Sequence, residues 1–398
     1  MDRLCPVAPA RDAPLHTLGS ILRCFLPALQ SPLLLGPRAL QLLRRLARCG
    51  TGELGANILQ CPHCQKQHWT ARSCGDRHCP RCLAGKSRQW LEQQRRSLLP
   101  VTYYHCVFTL PSQLHPLVLA NPAQLYPLLF DCVAQTLLQF GRNRLRGDLG
   151  LSLVLHTWGQ QMNFHPHLHA IVTGGALSPD GRRWRVCKQR KFLFPVRALA
   201  ALFRGKFLDG LRRLLDAHQL RVPQTLPADS APRNWFTLLY NKAWVVYAKR
   251  PFGGPQQALS YLSNYTHRVA LSNRRITAVD ELARTVTFTY RDYRKGGPVK
   301  PLTLSAREFI RRFSLHLLPL GLVRIRHYGI LGNNRRQRDI AKVRLILQRR
   351  PRLVPTPPPS IPKEPVRCPH CGLPGLRLVG WIDSSGLRHM LTPFWDSS

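Results

Sequence analysis

Three sets of residues have the types and spacing to do chemistry. In Cys61-Pro-His-Cys64 and Cys79-Pro-Arg-Cys82, two CxxC pairs each carry a proline inside the turn. That spacing suits a tetrahedral structural zinc site, with two thiolates from each turn clasping one ion. Cys74, His63, His68 and His78 lie beside these pairs, and any of them could replace a thiolate. The expectation is one tightly held zinc on Cys61, Cys64, Cys79 and Cys82. The second set is His165-Pro-His167-Leu-His169, leading into Ala-Ile-Val. Alternate residues of a strand share a face, so the three imidazoles line up while Leu168 turns into a core. Neutral imidazoles side by side begin a divalent-metal site. The preceding strand ends Leu155-His156-Thr-Trp-Gly-Gln160, and antiparallel pairing brings His156 or Gln160 alongside as a third ligand. The third set is Tyr261-Leu-Ser-Asn-Tyr265, whose tyrosines share one helix face. Arg268 continues that stripe, and Ser272-Asn-Arg274-Arg275 follows, all of them types that bind phosphate. A phenol with a free pKa near ~10 is a nucleophile only where a cation or metal stabilises its developing charge.

The elements that must position these residues are legible from periodicity and turn chemistry. Leu-rich residues from Thr17 to Cys49 read as helical, as does the basic stretch Gln89–Leu99. Tyr103–Thr109 reads as a strand ended by Pro111, and Pro122–Phe140 as a helix. Leu151–Trp158 and His165–Thr173 are apolar strands joined by a short loop, and a further short strand, Arg183–Cys187, follows the Pro179-Asp-Gly181 turn. Leu199, Leu202, Phe203, Phe207, Leu211 and Leu214 recur at helical spacing. Ala243–Ala248 reads as a strand, and Gly253-Gly-Pro255 opens the tyrosine helix. Arg275–Val279 and Thr285–Tyr290 form a hairpin, and basic helices are expected near Ala306–Leu318 and Asn333–Gln348. The strands are too short and too closely spaced for a doubly wound parallel sheet. An α+β architecture follows, an antiparallel sheet flanked by helices.

The charge names the partner class. Among 398 residues, 59 Lys+Arg stand against 19 Asp+Glu, a formal net charge of +40, and 48 of those cations are Arg to 11 Lys. Arg's planar fork suits phosphate oxygens and stacks on bases, which points to nucleic acid. Basic residues occur in every hundred-residue block, so a folded body rather than a tail carries the charge. At 44% hydrophobic residues the chain can bury a core, which excludes a disordered arm. No apolar run approaches the ~20 residues of a membrane span, and the early apolar segment is broken by Arg23, Pro27 and Pro32. A cytoplasmic protein with no membrane partner is expected, nucleoid-associated when acting, its 13 cysteines reduced.

Val107–Pro111 (VFTLP), the His165–His169 strand and the Tyr261–Arg268 helix stand in an order that resembles HUH-type rolling-circle proteins, with Ser73–Cys82 ahead of them. The chain most resembles the two-tyrosine transposases of the insertion-sequence-91 family, from about Cys49 to Leu331. The resemblance implies an HUH-endonuclease-like antiparallel sheet flanked by helices, with an N-terminal helical and zinc-binding module and a helical C-terminal part. It implies His167, His169 and His156 on a catalytic Mg or Mn, and Tyr261 and Tyr265 as nucleophiles forming a 5′-phosphotyrosine. Single-stranded DNA at transposon ends and target DNA would be the partners, contacted by Arg268, Arg274 and Arg275. Between the tyrosines stands Asn264, where related proteins often carry a basic residue. The domains expected are an N-terminal helical region (1–58), the zinc module with its basic helix (59–99) and the catalytic domain (100–300). A basic helical region (301–350), a Pro-rich linker (351–366) and a short tail (367–398) follow. Cys368 and Cys371 in that tail need two further ligands to hold a metal. Two other readings explain less. A non-catalytic zinc-containing DNA-binding protein leaves the histidines and tyrosines idle, and a metallohydrolase lacks its carboxylate base, Asp180 being the only acid between Asp148 and Asp209.

Overall fold

The alternation of histidine and apolar residues becomes a strand, β6 (Phe164–Leu177), of an antiparallel sheet in the computed structural model of the chain. The structure describes residues 5–6, 15–29, 36–83, 94, 97–187, 193–224, 232–249, 251–266, 269–293, 296–348 and 366–391. Residues 351–365 of the expected linker and most of the basic helix at 89–99 lie outside the described residues. Two compact units result, one of Met1–Gly85, Leu271–Ser314 and Pro358–Ser398, the other of Lys86–Ala270 and Leu315–Pro357.

In the first unit, β2 (Ala56–Gln60) and β3 (Gln67–Ala71) form an antiparallel hairpin, and the short β1 (Cys5–Pro6) pairs parallel to β3. On the other side of β2 lies β13 (Arg377–Ile382), followed by β14 (Arg388–Met390), giving the sheet order β1-β3-β2-β13-β14. Ala56, Ile58 and Ile382 close a small core there. Residues 367–398, expected as a tail, therefore supply two strands of this sheet. A separate three-stranded sheet has the order β11-β10-β9, from β9 (Ile276–Asp280), β10 (Thr285–Arg291) and β11 (Val299–Ser305). Helix Ala306–Ser314 packs on it through Phe309, whose ring centroid lies 6.0 Å from that of Phe288. These strands pair only with one another, which is why residues from Leu271 on separate from the catalytic domain expected at 100–300.

The second unit is built on the order β12-β5-β6-β4-β8, with β7 pairing to the end of β6. The strands are β4 (Tyr103–Thr109), β5 (Asp148–Trp158), β6 (Phe164–Leu177), β7 (Trp184–Val186), β8 (Val246–Ala248) and β12 (Ile325–Gly329), and every pairing is antiparallel. Leu168, Ala170 and Val172 of β6, Leu151, Leu153 and Leu155 of β5, and Cys106 and Phe108 of β4 enter one apolar core on one face. Helices Pro122–Phe140 and Val196–Asp216 supply the rest of that core, with Phe203 meeting Phe108 edge-on at 5.3 Å. Each fully buried Leu or Phe contributes about 1.5–3 kcal/mol, so a one-residue slip of β6 would forfeit several such burials and expose them. The register is therefore fixed, and with it the face on which the histidines emerge. Among the described residues, no helix is long and apolar enough to cross a membrane.

Candidate active site and cysteine clusters

Register brings the histidines together. In the β5–β6 pair His156 stands directly opposite His167, and Val154 opposite His169. Directly opposed residues share a face, so His156, His167 and His169 converge, with ligand nitrogens all within 4.8 Å of one another. Of the two candidates for third partner, the register selects His156. Gln160 lies in the turn beyond β5. His165 does not join the group, but its carbonyl accepts a 2.7 Å hydrogen bond from His167 Nδ1.

The donor set fits a divalent cation. A ring proton on His167 Nδ1 leaves Nε2 bare, and that Nε2 lies 3.1 Å from His169 Nε2. Two nitrogens each about 2.1 Å from one cation lie about 3.0 Å apart at octahedral angles and about 3.4 Å at tetrahedral angles. His156 and His169 are buried, and burial pushes the imidazoles of His167 and His169 toward their neutral, ligating form. His167 is pushed down to about 4, and His169 well below its usual value. His156 also stacks on Trp158, with ring centroids 4.5 Å apart.

A fourth histidine, not singled out by its sequence, links this cluster to a tyrosine. His105 sits on β4 two residues from Val107, which pairs with His169. The ring is 1% exposed, and its Nε2 lies 2.9 Å from His169 Nδ1. Tyr261 Oη approaches the same ring, 3.2 Å from Nδ1. If His169 ligates through Nε2, its Nδ1–H donates to His105 Nε2, while the Tyr261 hydroxyl lies over the His105 ring, 3.2 Å from Nδ1 and 3.4 Å from Nε2. Desolvation and the nearby Lys249 push the His105 pKa down to about 3, so the ring acts as a neutral donor and acceptor. Lys249 Nζ stands 5.6 Å from the Tyr261 ring centroid, a cation beside the phenol. The signal in the sequence was phase. In YYHCVFT, His105 shares a face with Val107 and Thr109, the partners of His169 and His167.

Helix Pro255–Thr266 carries Tyr261 on the histidine face. Ala258, one turn earlier, packs with Tyr103, Val154 and Ile171. Phe252 braces the tyrosine with ring centroids 5.1 Å apart. Tyr265 lies on the same helix; its side chain, that of Asn264, and Arg268 lie outside the described residues. Arg274 and Arg275 belong to the 3-10 turn Asn273–Arg275 of the first unit. Arg274 is exposed, whereas Arg275 donates through Nε to the Thr289 carbonyl at 2.7 Å and lies over the Phe288 ring.

The four cysteines expected on one zinc divide between two clusters. Cys79 and Cys82 join Cys49 and Cys74, while Cys61 and Cys64 join Cys368 and Cys371. The reason is the hairpin. Cys61–Cys64 forms its tip between β2 and β3, whereas Cys49 precedes β2 and Cys74 follows β3 at the other end. Five strand residues at about 3.3 Å each separate the two ends by roughly 16 Å, beyond the reach of one ion. In the Cys49 cluster, Sγ–Sγ separations are 3.6 Å to Cys82 and 3.5 Å to Cys79. A zinc–sulfur tetrahedron with bonds of about 2.3 Å has edges of about 3.8 Å, so the cluster fits zinc.

Comparison with known proteins gives the family. Residues 150–338 match the family model described as "Putative transposase", and residues 21–110 match "Transposase zinc-binding domain". "Putative transposase y4qJ" of Sinorhizobium fredii (strain NBRC 101917 / NGR234) is 43% identical over 304 residues, 75% of this chain and 76% of that protein. The transposase for insertion sequence element IS801 of Pseudomonas savastanoi pv. phaseolicola is 28% identical over 362 residues, 86% of this chain and 83% of that protein. The conjugative relaxase TrwC in complex with oriT DNA is 15% identical over 40% of this chain and 71% of that chain, but its TM-score of 0.24 is too low to carry an argument. With its zinc-binding module and these relatives, the chain belongs to the insertion-sequence-91 family of transposases.

Proposed function

We propose that this transposase nicks and rejoins single-stranded DNA at element ends through a tyrosine nucleophile, with Mg or Mn held by His156, His167 and His169. The observation that carries the reading is the continuous path from the Tyr261 hydroxyl through His105 to His169 of the histidine cluster. When bound, the cation polarises the scissile phosphate. The chain's own groups do the rest. Tyr261 Oη gives its proton to solvent water as it attacks phosphorus, the Oη–P bond forms and the bond to the 3′ oxygen breaks. The leaving oxygen takes a proton and becomes a free 3′-hydroxyl, while the 5′-phosphate stays on the tyrosine. The phosphoester is conserved, so the reverse attack rejoins strands without a nucleotide cofactor. His105 is a positioning residue here, accepting from His169 and holding its ring against the Tyr261 hydroxyl. Lys249 adds a positive charge on the same side. Tyr265, on the same helix, supplies the second nucleophile, holding one end while Tyr261 acts on another. Tyr and three imidazoles favour this reading over hydrolysis, since the histidine group contains no carboxylate to serve as base.

The test is a denaturing gel of protein incubated with single-stranded element ends and Mn. The wild type should form a covalent adduct, and the Tyr261→Phe/Tyr265→Phe double variant should form none, because Phe keeps the ring and loses only the hydroxyl. His167→Ala should abolish cleavage while DNA binding persists. An adduct that survives the double Phe change refutes the assignment.

A further inference from the structure

The C-terminal cysteines repeat the hairpin tip. Cys61-Pro-His-Cys64 and Cys368-Pro-His-Cys371 share the same four letters, and the chain turns identically at both. At the first, Cys61 N–H donates to the Lys66 carbonyl at 3.0 Å, and Gln65 N–H donates to the Cys61 carbonyl at 3.0 Å. At the second, Cys368 N–H donates to the Leu373 carbonyl at 2.8 Å, and Gly372 N–H donates to the Cys368 carbonyl at 2.9 Å. The residue after each motif is left-handed, Gln65 at φ 57° and Gly372 at φ 71°. Gln is unusual in that region, so the tight turn is imposed at the first knuckle even at a conformational cost.

The two knuckles face each other crosswise. Cys61 Sγ lies 3.6 Å from Cys371 Sγ, and Cys64 Sγ lies 3.7 Å from Cys368 Sγ. All four sulfurs fall within 4.8 Å of one another. A disulfide needs about 2.05 Å, whereas the edge of a zinc–sulfur tetrahedron is about 3.8 Å. The separations match the second. His68, 1% exposed on β3, points Nε2 at Cys368 Sγ from 3.2 Å. Its Nδ1 is buried without a hydrogen-bond partner, which leaves Nε2 as the nitrogen that carries the proton toward sulfur. The backbone is already in register, since β13, just past Cys371, pairs with β2, just before Cys61. The zinc-binding match ends at residue 110 and contains only half of these ligands.

We infer that Cys61, Cys64, Cys368 and Cys371 hold a second structural zinc, independent of the one on Cys49, Cys74, Cys79 and Cys82. This ion closes the chain over 304 residues between Cys64 and Cys368, and so fastens strands β13 and β14 to the N-terminal hairpin. The inference does not depend on the tyrosine mechanism, and its test reads metal and thiols rather than cleavage.

Elemental analysis of the full chain should give two zinc per molecule. Cys368→Ser/Cys371→Ser should hold one, and Cys79→Ser/Cys82→Ser should also hold one, because the sites are separate. Cys371→His should keep two, since imidazole replaces thiolate in such sites. Should the serine variants fail to fold, the wild type suffices. Native protein treated with iodoacetamide should show Cys368 and Cys371 protected together with Cys61 and Cys64, and all four should react together once a chelator is added. Protection through burial alone would not extend to Cys64 and Cys371, which are only half-buried. One zinc in the wild type, iron in place of zinc, or free alkylation of Cys368 and Cys371 while Cys61 and Cys64 stay protected would each overturn the inference.

Discussion

Replacing His105 with Leu removes both of its ring contacts while filling most of the volume of a side chain that is 1% exposed. Two consequences can be sized. His169 Nδ1–H loses its acceptor, 2.9 Å away, and a buried donor left unpaired costs about 1–3 kcal/mol. Partners that orient a ligating histidine are worth about 10–100-fold in metal affinity. Separately, the Tyr261 hydroxyl loses the ring it rests on, 3.2 Å from Nδ1 and 3.4 Å from Nε2. A neutral contact that seats a hydroxyl is worth about 0.5–1.5 kcal/mol, or roughly 2–13-fold in rate. Single-turnover adduct formation, followed across a Mn titration, separates the two effects. The half-saturating Mn concentration should rise, and the rate at saturation should stay below wild type by at least about twofold. Affinity for single-stranded DNA and zinc content should not change, since neither uses His105. His105→Gln, which can still donate and accept, should recover part of both losses. A Leu variant that follows the wild-type curve at every Mn concentration would refute the positioning role.

Two further outcomes follow from charge and burial. His327 on β12 donates to or accepts from Ser152 at 2.9 Å, and burial pushes its pKa down from 6.5 to about 4. The unfolded chain takes up that proton below about pH 6.5 and the folded chain resists it, so stability is full above that value and falls as pH drops toward 4. His327→Asn should therefore flatten part of the decline in Tm between pH 6.5 and 4, and equal slopes in the two proteins would count against the buried neutral ring. With a formal net charge of +40, binding to an oligonucleotide should weaken steeply with salt. Neutralising five phosphates gives a log–log slope of about −3.5 for single strands, and an affinity indifferent to salt would deny the charge its role.

Local chemistry was legible wherever one element contains it. The helices Pro122–Phe140 and Val196–Asp216, the hairpin at residues 276–291, and the strand bearing His167 and His169 all follow from periodicities of 3.6 and 2. Even His156 was within reach, because a short loop leaves an antiparallel pair little freedom of register. Boundaries moved where tertiary pairing ended. Helix Ala306–Ser314 stops before the expected Leu318, and β8 begins at Val246 rather than Ala243. The division into units was not legible, because the chain passes from one to the other and back twice, and no change of composition marks Leu271 or Leu315.

The cysteines show why spacing in sequence reads a metal site only halfway. A CxxC turn is a local object and announces itself. Which turns share an ion is a question of where strands end. Cys61–Cys64 and Cys79–Cys82 are the two nearest CxxC turns in sequence, yet a five-residue strand stands between the tip and the base of the hairpin. Cys49 and Cys74, single residues that flank that hairpin, complete the basal cluster because Gly50 N–H pairs with the Arg72 carbonyl at 3.2 Å and draws the flanks together. The tip is left with two thiolates, and its partner must come from elsewhere in the chain. Among the described residues, a second copy of the same knuckle, entering beside β2 on strand β13, has the geometry to supply them. His105 obeys the same logic. Its meaning lies in the β4–β6 register, which sets it on the face of His169, and not in any neighbour along its own strand.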